Sequence, residues 1–342
     1  MTVPLEQRQI VFLMYENRSG STFLASRLDK HEEVAVTIET EAFADLLETG
    51  PAIRSAADVD RVVETFFGDE KFGQWGVGRE ELRARLAGLA MPAPFEAIVR
   101  AVLDLHFAGA AAPCYLVKGT RLTHHISRLR REIPSAKFLH IIRDPRGVFG
   151  SQKQSVGSYT ARAMNEDPLD AGRRWAANAR RVDRVAGPDL MEVRYEDLIT
   201  AYDATMAAVR RFVSRADLPP LGNAAGPQGD AYLARIPEDQ RHLHGNLAEK
   251  PKADRIEAWR QELTDVEIAL TQQGAGEMLA KKGYEPDMTA GRRAGRVNLL
   301  AQRFRLAGRT AWRRIANTWR YAATGRLLWR IRVVLYRWRA GW

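Results

Sequence analysis

The chain has 342 residues, 45% hydrophobic and 27% charged, which excludes a disordered chain and fits a soluble globular enzyme with a sizeable core. Its net charge of +10 is unevenly spread: residues 291–342 hold 14 arginines and no lysine, aspartate or glutamate, so the first 290 residues carry −4. A single cysteine, Cys114, excludes an intramolecular disulfide and fits a reducing compartment.

The first residues lack the charged-then-apolar pattern of a signal peptide, which predicts a mature chain that starts near Met1 in the cytoplasm. Gln9–Tyr15 (QIVFLMY) is a near-continuous apolar run, the pattern of a strand buried on both faces of a parallel sheet, and too short to cross a membrane. A turn of small residues follows, and Phe23, Leu24, Arg27 and Leu28 begin a helical pattern. Val34–Ile38 reads as a second strand. Residues 41–110 read mostly as helices, broken at Gly50-Pro51, Gly76–Gly78 and Met91–Pro94. Cys114–Lys118 is the next strand, followed by a helix over 122–132, and Lys137–Ile142 is the strand after that. Pro145 opens a helix at the position where proline is favoured. Residues 168–186 are helical, and Leu190–Tyr195 is the last strand. Pro219–Lys252, rich in Gly, Pro and Asn, predicts loops over the site, and Thr264–Lys282 a single helix ended at Gly283–Pro286. Strands alternating with helices predict an α/β fold: a P-loop-like three-layer domain over residues 1–290, with a central parallel sheet and ligands at the strand C-terminal ends. A basic amphipathic helical tail over 291–342 completes the chain.

The turn after the first strand carries the first chemical signal. In Asn17-Arg18-Ser19-Gly20-Ser21-Thr22, Gly20 lets the backbone approach an anion and the following helix offers free N–H donors. Ser19, Ser21 and Thr22 add hydroxyls, and Arg18 adds a forked charge. The loop lacks the G-x-x-x-x-G-K-[ST] pattern of ATP- or GTP-hydrolysing proteins and the glycines of a dinucleotide fingerprint. An ordinary βα turn rich in small residues remains the alternative. The second signal is Phe138–Ser151 (FLHIIRDPRGVFGS), where a strand delivers Arg143 and a helix carries Ser151 eight residues on. Together they can hold a second phosphate.

Two such loops in this order make the chain resemble the PAPS-dependent sulfotransferases. That family reads the 5′-phosphosulfate with a loop like R-S-G-S/T-T, and the 3′-phosphate with an arginine and a serine spaced as Arg143 and Ser151 are. Further segments resemble the protein-tyrosine branch. Leu28–Val34 looks like its L-D-x-H-P-E-V, Glu39-Thr40 falls where its catalytic E-T lies, and Lys118 sits where it has a functional lysine. Val193–Leu198 is similar to V-x-Y-E-D-L, which would place Tyr195 near the donor. Lys250-Pro251, Trp259 and Gly283–Pro286 resemble the branch's C-terminal motifs, which makes Lys250 a donor-binding candidate. Ala258 and Ser155 depart from that pattern, standing where the branch has lysine and arginine, although Lys153 is near Ser155. Carbohydrate sulfotransferases share both loops, so the acceptor stays open.

The resemblance implies an in-line transfer in which positioning and charge stabilisation dominate. Glu39 is the candidate general base, with Glu41 as runner-up. Lys118, Arg18 and the loop N–H groups would stabilise the leaving phosphate oxygen. No metal is expected: His124-His125 and His242–His244 lack accompanying Cys or carboxylate spacing.

Five of the eight tryptophans (Trp312, Trp319, Trp329, Trp338 and Trp342) fall in the arginine-rich tail at helical spacing. Binding to an anionic membrane surface is the favoured reading, ahead of packing against the body or another subunit, with nucleic acid last. The sequence therefore predicts a cytoplasmic, peripherally membrane-associated sulfotransferase that uses PAPS and acts on a hydroxyl of a glycan, glycolipid or other membrane-proximal acceptor. Tyrosine sulfation, a homo-oligomer, and a non-catalytic nucleotide- or membrane-binding protein are the alternatives it leaves open.

Overall fold

A computed structural model describes residues 7–29, 33–110, 112–155, 163–213, 232, 235, 253–306 and 308. Five strands, β1 (Gln9–Tyr15), β2 (Val34–Val36), β3 (Cys114–Lys118), β4 (Lys137–Ile142) and β5 (Leu190–Arg194), form one sheet. Its order is β2-β3-β1-β4-β5, with every neighbouring pair parallel. The apolar run of β1 reflects its central place, since both faces are covered. Ile10, Phe12 and Met14 pack on one side and Val11, Leu13 and Tyr15 on the other.

The first of these faces is covered by α2 to α5, after α1 (Ser21–Leu28) has crossed the opposite one. These are α2 (Ala42–Thr49), α3 (Ala56–Phe67), α4 (Arg79–Ala87) and α5 (Phe95–His106). A 3-10 turn at Arg121–His125 then leads into α6 (Ile126–Glu132), so the helix expected over 122–132 is α-helical only in its second half. Asp144 caps α7 (Pro145–Gln154) by accepting from the Arg146 N–H, with proline in the first turn as expected. Next come α8 (Pro168–Arg184), α9 (Tyr195–Thr200) and α10 (Tyr202–Val213). Beyond the undescribed stretch lie α11 (Trp259–Glu262), α12 (Asp265–Ala275), α13 (Met278–Lys281) and α14 (Ala290–Ala294).

Three further expectations are adjusted. The second strand ends at Val36 rather than Ile38, although the Thr37 N–H still donates to the Leu116 carbonyl at 2.9 Å. Tyr195 begins α9 instead of ending β5. The single helix expected over Thr264–Lys282 is two, because Gly276 at φ +57 leaves the helical region between α12 and α13. Almost all of Pro219–Lys252 and the tail beyond 308 lie outside the described residues. Among the described residues no helix is long and apolar enough to cross a membrane.

β1 is flanked by β3 on one side and β4 on the other, so the chain reverses its direction of travel across the sheet there. Ligand sites of open parallel sheets lie outside the strand C-termini at such a switch. The loops after β1, β2, β3 and β4 all open onto this edge.

Candidate functional site

The loop after β1 is held in an uncommon backbone shape. Arg18 sits at φ +74, a left-handed conformation that costs a non-glycine residue energy. Ser19 turns back, its N–H and hydroxyl both donating to the Glu16 carbonyl at 3.1 and 2.7 Å. Gly20 follows at φ +92, and a Cβ there would collide with the Tyr195 ring, lying 2.9 Å from its Cε2. The residue must therefore be glycine twice over, for its dihedral and for the ring against it. Gly20 also stands at the N-cap of α1, where it offers no side chain to cap the first-turn N–H groups of the helix.

The loop after β4 closes on the first. The Arg18 Nε donates to the Ser151 hydroxyl at 3.0 Å, and Arg143 donates to the Arg18 carbonyl at 3.2 Å and the Arg255 carbonyl at 2.9 Å. The Arg143 guanidinium stacks 4.4 Å over Tyr195, while its buried Nε has no partner among the described residues. Trp175 fixes the Arg143 backbone through a 2.9 Å bond from its indole N–H. Glu196 accepts from the Asp144 N–H at 3.0 Å, tying the start of α9 to the same turn. Burial, then the neighbouring charges of Arg143 and Arg255, depress the Arg18 pKa. Arg255 also pairs Glu262 at 3.4 Å; the remaining like charges, with the buried Arg143 Nε unsatisfied among the described residues, form a surface whose chemistry suits an anion.

The third element is a charged centre at the ends of β2 and β3. The Lys118 N–H donates to the Thr37 hydroxyl at 3.1 Å and the Thr40 N–H to the Lys118 carbonyl at 3.2 Å, which sets Glu39 near the Lys118 side chain. The Lys118 ammonium donates to the Thr22 hydroxyl at 2.8 Å, reaching the first loop. Burial pulls its pKa down to about 8, helped by Lys71 and Arg18 and opposed by Glu39. Glu39 receives the Tyr15 hydroxyl on Oε2 at 2.5 Å and ion-pairs Lys71 through Oε1. Burial alone would raise its pKa, but Lys71, then Lys118, and the two hydrogen bonds hold it at about 2.

Arg18, Ser19, Gly20, Ser21, Thr22, Glu39, Lys118, Arg143, Ser151 and Tyr195 thus gather at one edge of the sheet. Lys250 lies outside the described residues. Glu41 is differently employed: its carboxylate accepts from the Thr120 N–H at 3.0 Å, the Thr120 hydroxyl and the Arg121 N–H at 3.2 Å, capping the turn after β3. Lys153 ion-pairs Glu267 at 2.7 Å, and Ser155 bonds back to the Ser151 carbonyl at 2.7 Å. Neither has a described hydrogen bond or ion pair with Arg18, Arg143 or Arg255. Tyr15, Asp69, Lys71 and Arg255 were not singled out by sequence. Tyr15 could have been, as the one polar group at the end of β1; Lys71 stands in a turn between helices, 32 residues past Glu39, with no motif around it.

Comparison with known proteins places the chain in a family. A family model described as the sulfotransferase family matches residues 11–217, more than half of the chain. Among solved structures, the sulfotransferase domain of the Synechococcus olefin synthase is similar at a TM-score of 0.50 and 16% identity, over 78% of this chain and 94% of that one. The sulfotransferase domain from the curacin biosynthetic pathway matches at a TM-score of 0.49 and 15% identity, over 81% and 98%. At such identities the first likeness is one of fold. No curated protein matches significantly.

Proposed function

The chain belongs to the sulfotransferase family, and from that premise we propose that it moves the sulfuryl group of PAPS to a hydroxyl of a glycan, glycolipid or other membrane-proximal acceptor. The observation that carries the donor assignment is the joining of two anion cradles, through the Arg18–Ser151 bond and the Arg143 Nε that has no partner among the described residues. A nucleotide with a phosphosulfate at one end and a separate phosphate at the other matches both. When bound, PAPS supplies an electrophilic sulfuryl group on a phosphate leaving group. Ser19, Gly20, Ser21 and Thr22 would hold the 5′ end by backbone and hydroxyl donors. Arg143 and Ser151 would grip the 3′-phosphate, with Tyr195 keeping the Arg143 plane in place and Lys250 as a further donor ligand.

Lys118 reaches the Thr22 hydroxyl and, with Arg18, opposes the negative charge that grows on the departing phosphate oxygen. Glu39, beyond Lys118, is the base that takes the acceptor's proton. Calorimetric titration with PAP tests the donor: micromolar binding is expected, and its absence sinks the assignment. Glu39→Gln should then lower labelled-sulfate transfer to lysate acceptor fractions by about 10²–10⁴-fold while PAP still binds. Full activity would reject Glu39 as the base.

The membrane-proximal part of the reading is supported by the helix over 296–306. Val297, Leu300 and Phe304 are 79%, 52% and 77% exposed on it, spaced to share one face, with Arg296, Arg303 and Arg305 exposed beside them. Such an apolar stripe edged by arginines suits an anionic bilayer surface. The full chain should sediment with anionic vesicles more than with neutral ones. Replacing Val297, Leu300 and Phe304 together by serine should remove most of that binding, and unchanged sedimentation would reject the role of this face.

A further inference from the structure

The turn after α3 makes contacts that neither donor binding nor the fold of the helices requires. Asp69 uses one carboxylate oxygen on the Thr40 hydroxyl at 2.6 Å and the Glu41 N–H at 2.8 Å, and the other on the Lys71 N–H at 3.0 Å. It thereby staples the backbone of Lys71 to the segment that presents Glu39. From that anchored position the Lys71 ammonium reaches Glu39 Oε1, while Tyr15 occupies Oε2. Both oxygens of the proposed base are therefore engaged, and only one can be released cheaply. Tyr15 is 2% exposed at the end of the central strand, whereas the Lys71 side chain is 25% exposed in the turn after α3.

We propose that Lys71 is a positioning residue that holds the Glu39 carboxylate by Oε1 through the Asp69 staple, and must yield that oxygen to the acceptor hydroxyl before the proton can be taken. This rests on the reading of Glu39 as the base. Tyr15 on Oε2 fixes the plane of the carboxylate, so the oxygen vacated by Lys71 points consistently. A lysine suits such a latch because its ammonium is a point charge on a flexible stem and can swing away without unpacking a helix. The cation also prevents Glu39 from picking up a solvent proton while it waits.

The groups facing Glu39 are Tyr15 from β1, Lys118 from β3, Lys71 from the stapled turn, Glu41 on its own segment and Tyr232. Lys71 acts on Glu39 more strongly than Lys118, and Glu41 and the two tyrosines cannot supply a cation. Neutralising Lys71 should therefore raise the proton affinity of Glu39 at least tenfold.

Carbon-13 NMR of labelled glutamate in the full chain reads this directly, with Glu39→Gln identifying the signal. In the wild type Glu39 should stay ionised across the whole range in which the fold survives. In Lys71→Met it should titrate within that range, and Lys71→Arg should restore wild-type behaviour. Lys71→Gln gives the same reading if the methionine variant fails to fold. A Glu39 signal that stays ionised in a folded neutral variant overturns the proposal. PAP calorimetry on the same samples separates the two ideas: lost PAP binding by the wild type rejects the donor assignment, and the titration of Glu39 still decides for or against Lys71.

Discussion

Two clusters of charge meet at the sheet edge, and they are built on opposite principles. Around the loops after β1 and β4, Arg18, Arg143 and Arg255 crowd together; the described partners of Arg143 are two backbone carbonyls and a tyrosine ring. At the ends of β2 and β3, Glu39 is matched by Lys71 and Lys118, and Lys71 is itself anchored by Asp69. In the first cluster Arg18 feels the like charges of Arg143 and Arg255, with Arg255 also pairing Glu262 at 3.4 Å, and an anion beside them would ease that repulsion. The second is balanced, so its charges govern a proton rather than await a ligand. On the function proposed above, the gathered like charges are where the donor supplies the missing sign, and the matched ones are where the protein sets the base.

The sharpest way to break that contrast is to remove Arg143. A charge-assisted hydrogen bond to phosphate contributes about 1.5–3 kcal/mol, so Arg143→Ala should weaken PAP binding by roughly 10- to 100-fold in calorimetry. Arg143→Lys keeps the charge and loses the fork and the stacking on Tyr195, and should fall between. Wild-type affinity in Arg143→Ala would mean that the arginines brace the two loops and await nothing.

The contrast also explains what could be read from the chain. Two members of the arginine cluster were legible because they lie within a few positions of strand ends: the run QIVFLMY locates β1, and Arg18 and Arg143 follow β1 and β4. Arg255, in a 3-10 turn far from any strand, left no such signal. The three central strands β1, β3 and β4 were legible because burial on both faces leaves mostly apolar runs, whereas β5 (LMEVR) is only half-buried and carries Glu192 and Arg194. Glu39 and Lys118 were found through resemblance, at the ends of two further strands. Lys71 and Asp69 were invisible because a turn between two helices leaves no periodic trace, and their roles arise from a fold that brings residues 69–71 back onto residues 39–41. Glu41 shows the converse: two carboxylates two residues apart look equivalent in sequence, yet one faces Lys71 and the other caps the turn at Thr120. The length of Thr264–Lys282 was overstated because a glycine in a helical pattern can be tolerated, as Gly274 is within α12, or can end the helix, as Gly276 does at φ +57.

A smaller effect sharpens the boundary between the two clusters, because Lys118 belongs to both. Its ammonium touches Thr22 on the donor side and feels Glu39 on the other, and burial brings its pKa down to about 8 from an ordinary value of 10.5. An anionic nucleotide needs the charged form. PAP affinity should therefore fall as pH rises through 8, by roughly tenfold between pH 7 and 9, and the trend should vanish in Lys118→Met. Folding responds with the opposite sign. The unfolded chain keeps this proton up to about pH 10.5 while the folded one releases it near 8, so this residue's contribution to the stability of the ligand-free protein rises across that window. Bound PAP should shift the release upward and flatten that rise. A PAP affinity indifferent to pH between 7 and 9 in the wild type would place Lys118 with the balanced cluster alone, and leave the leaving group to Arg18.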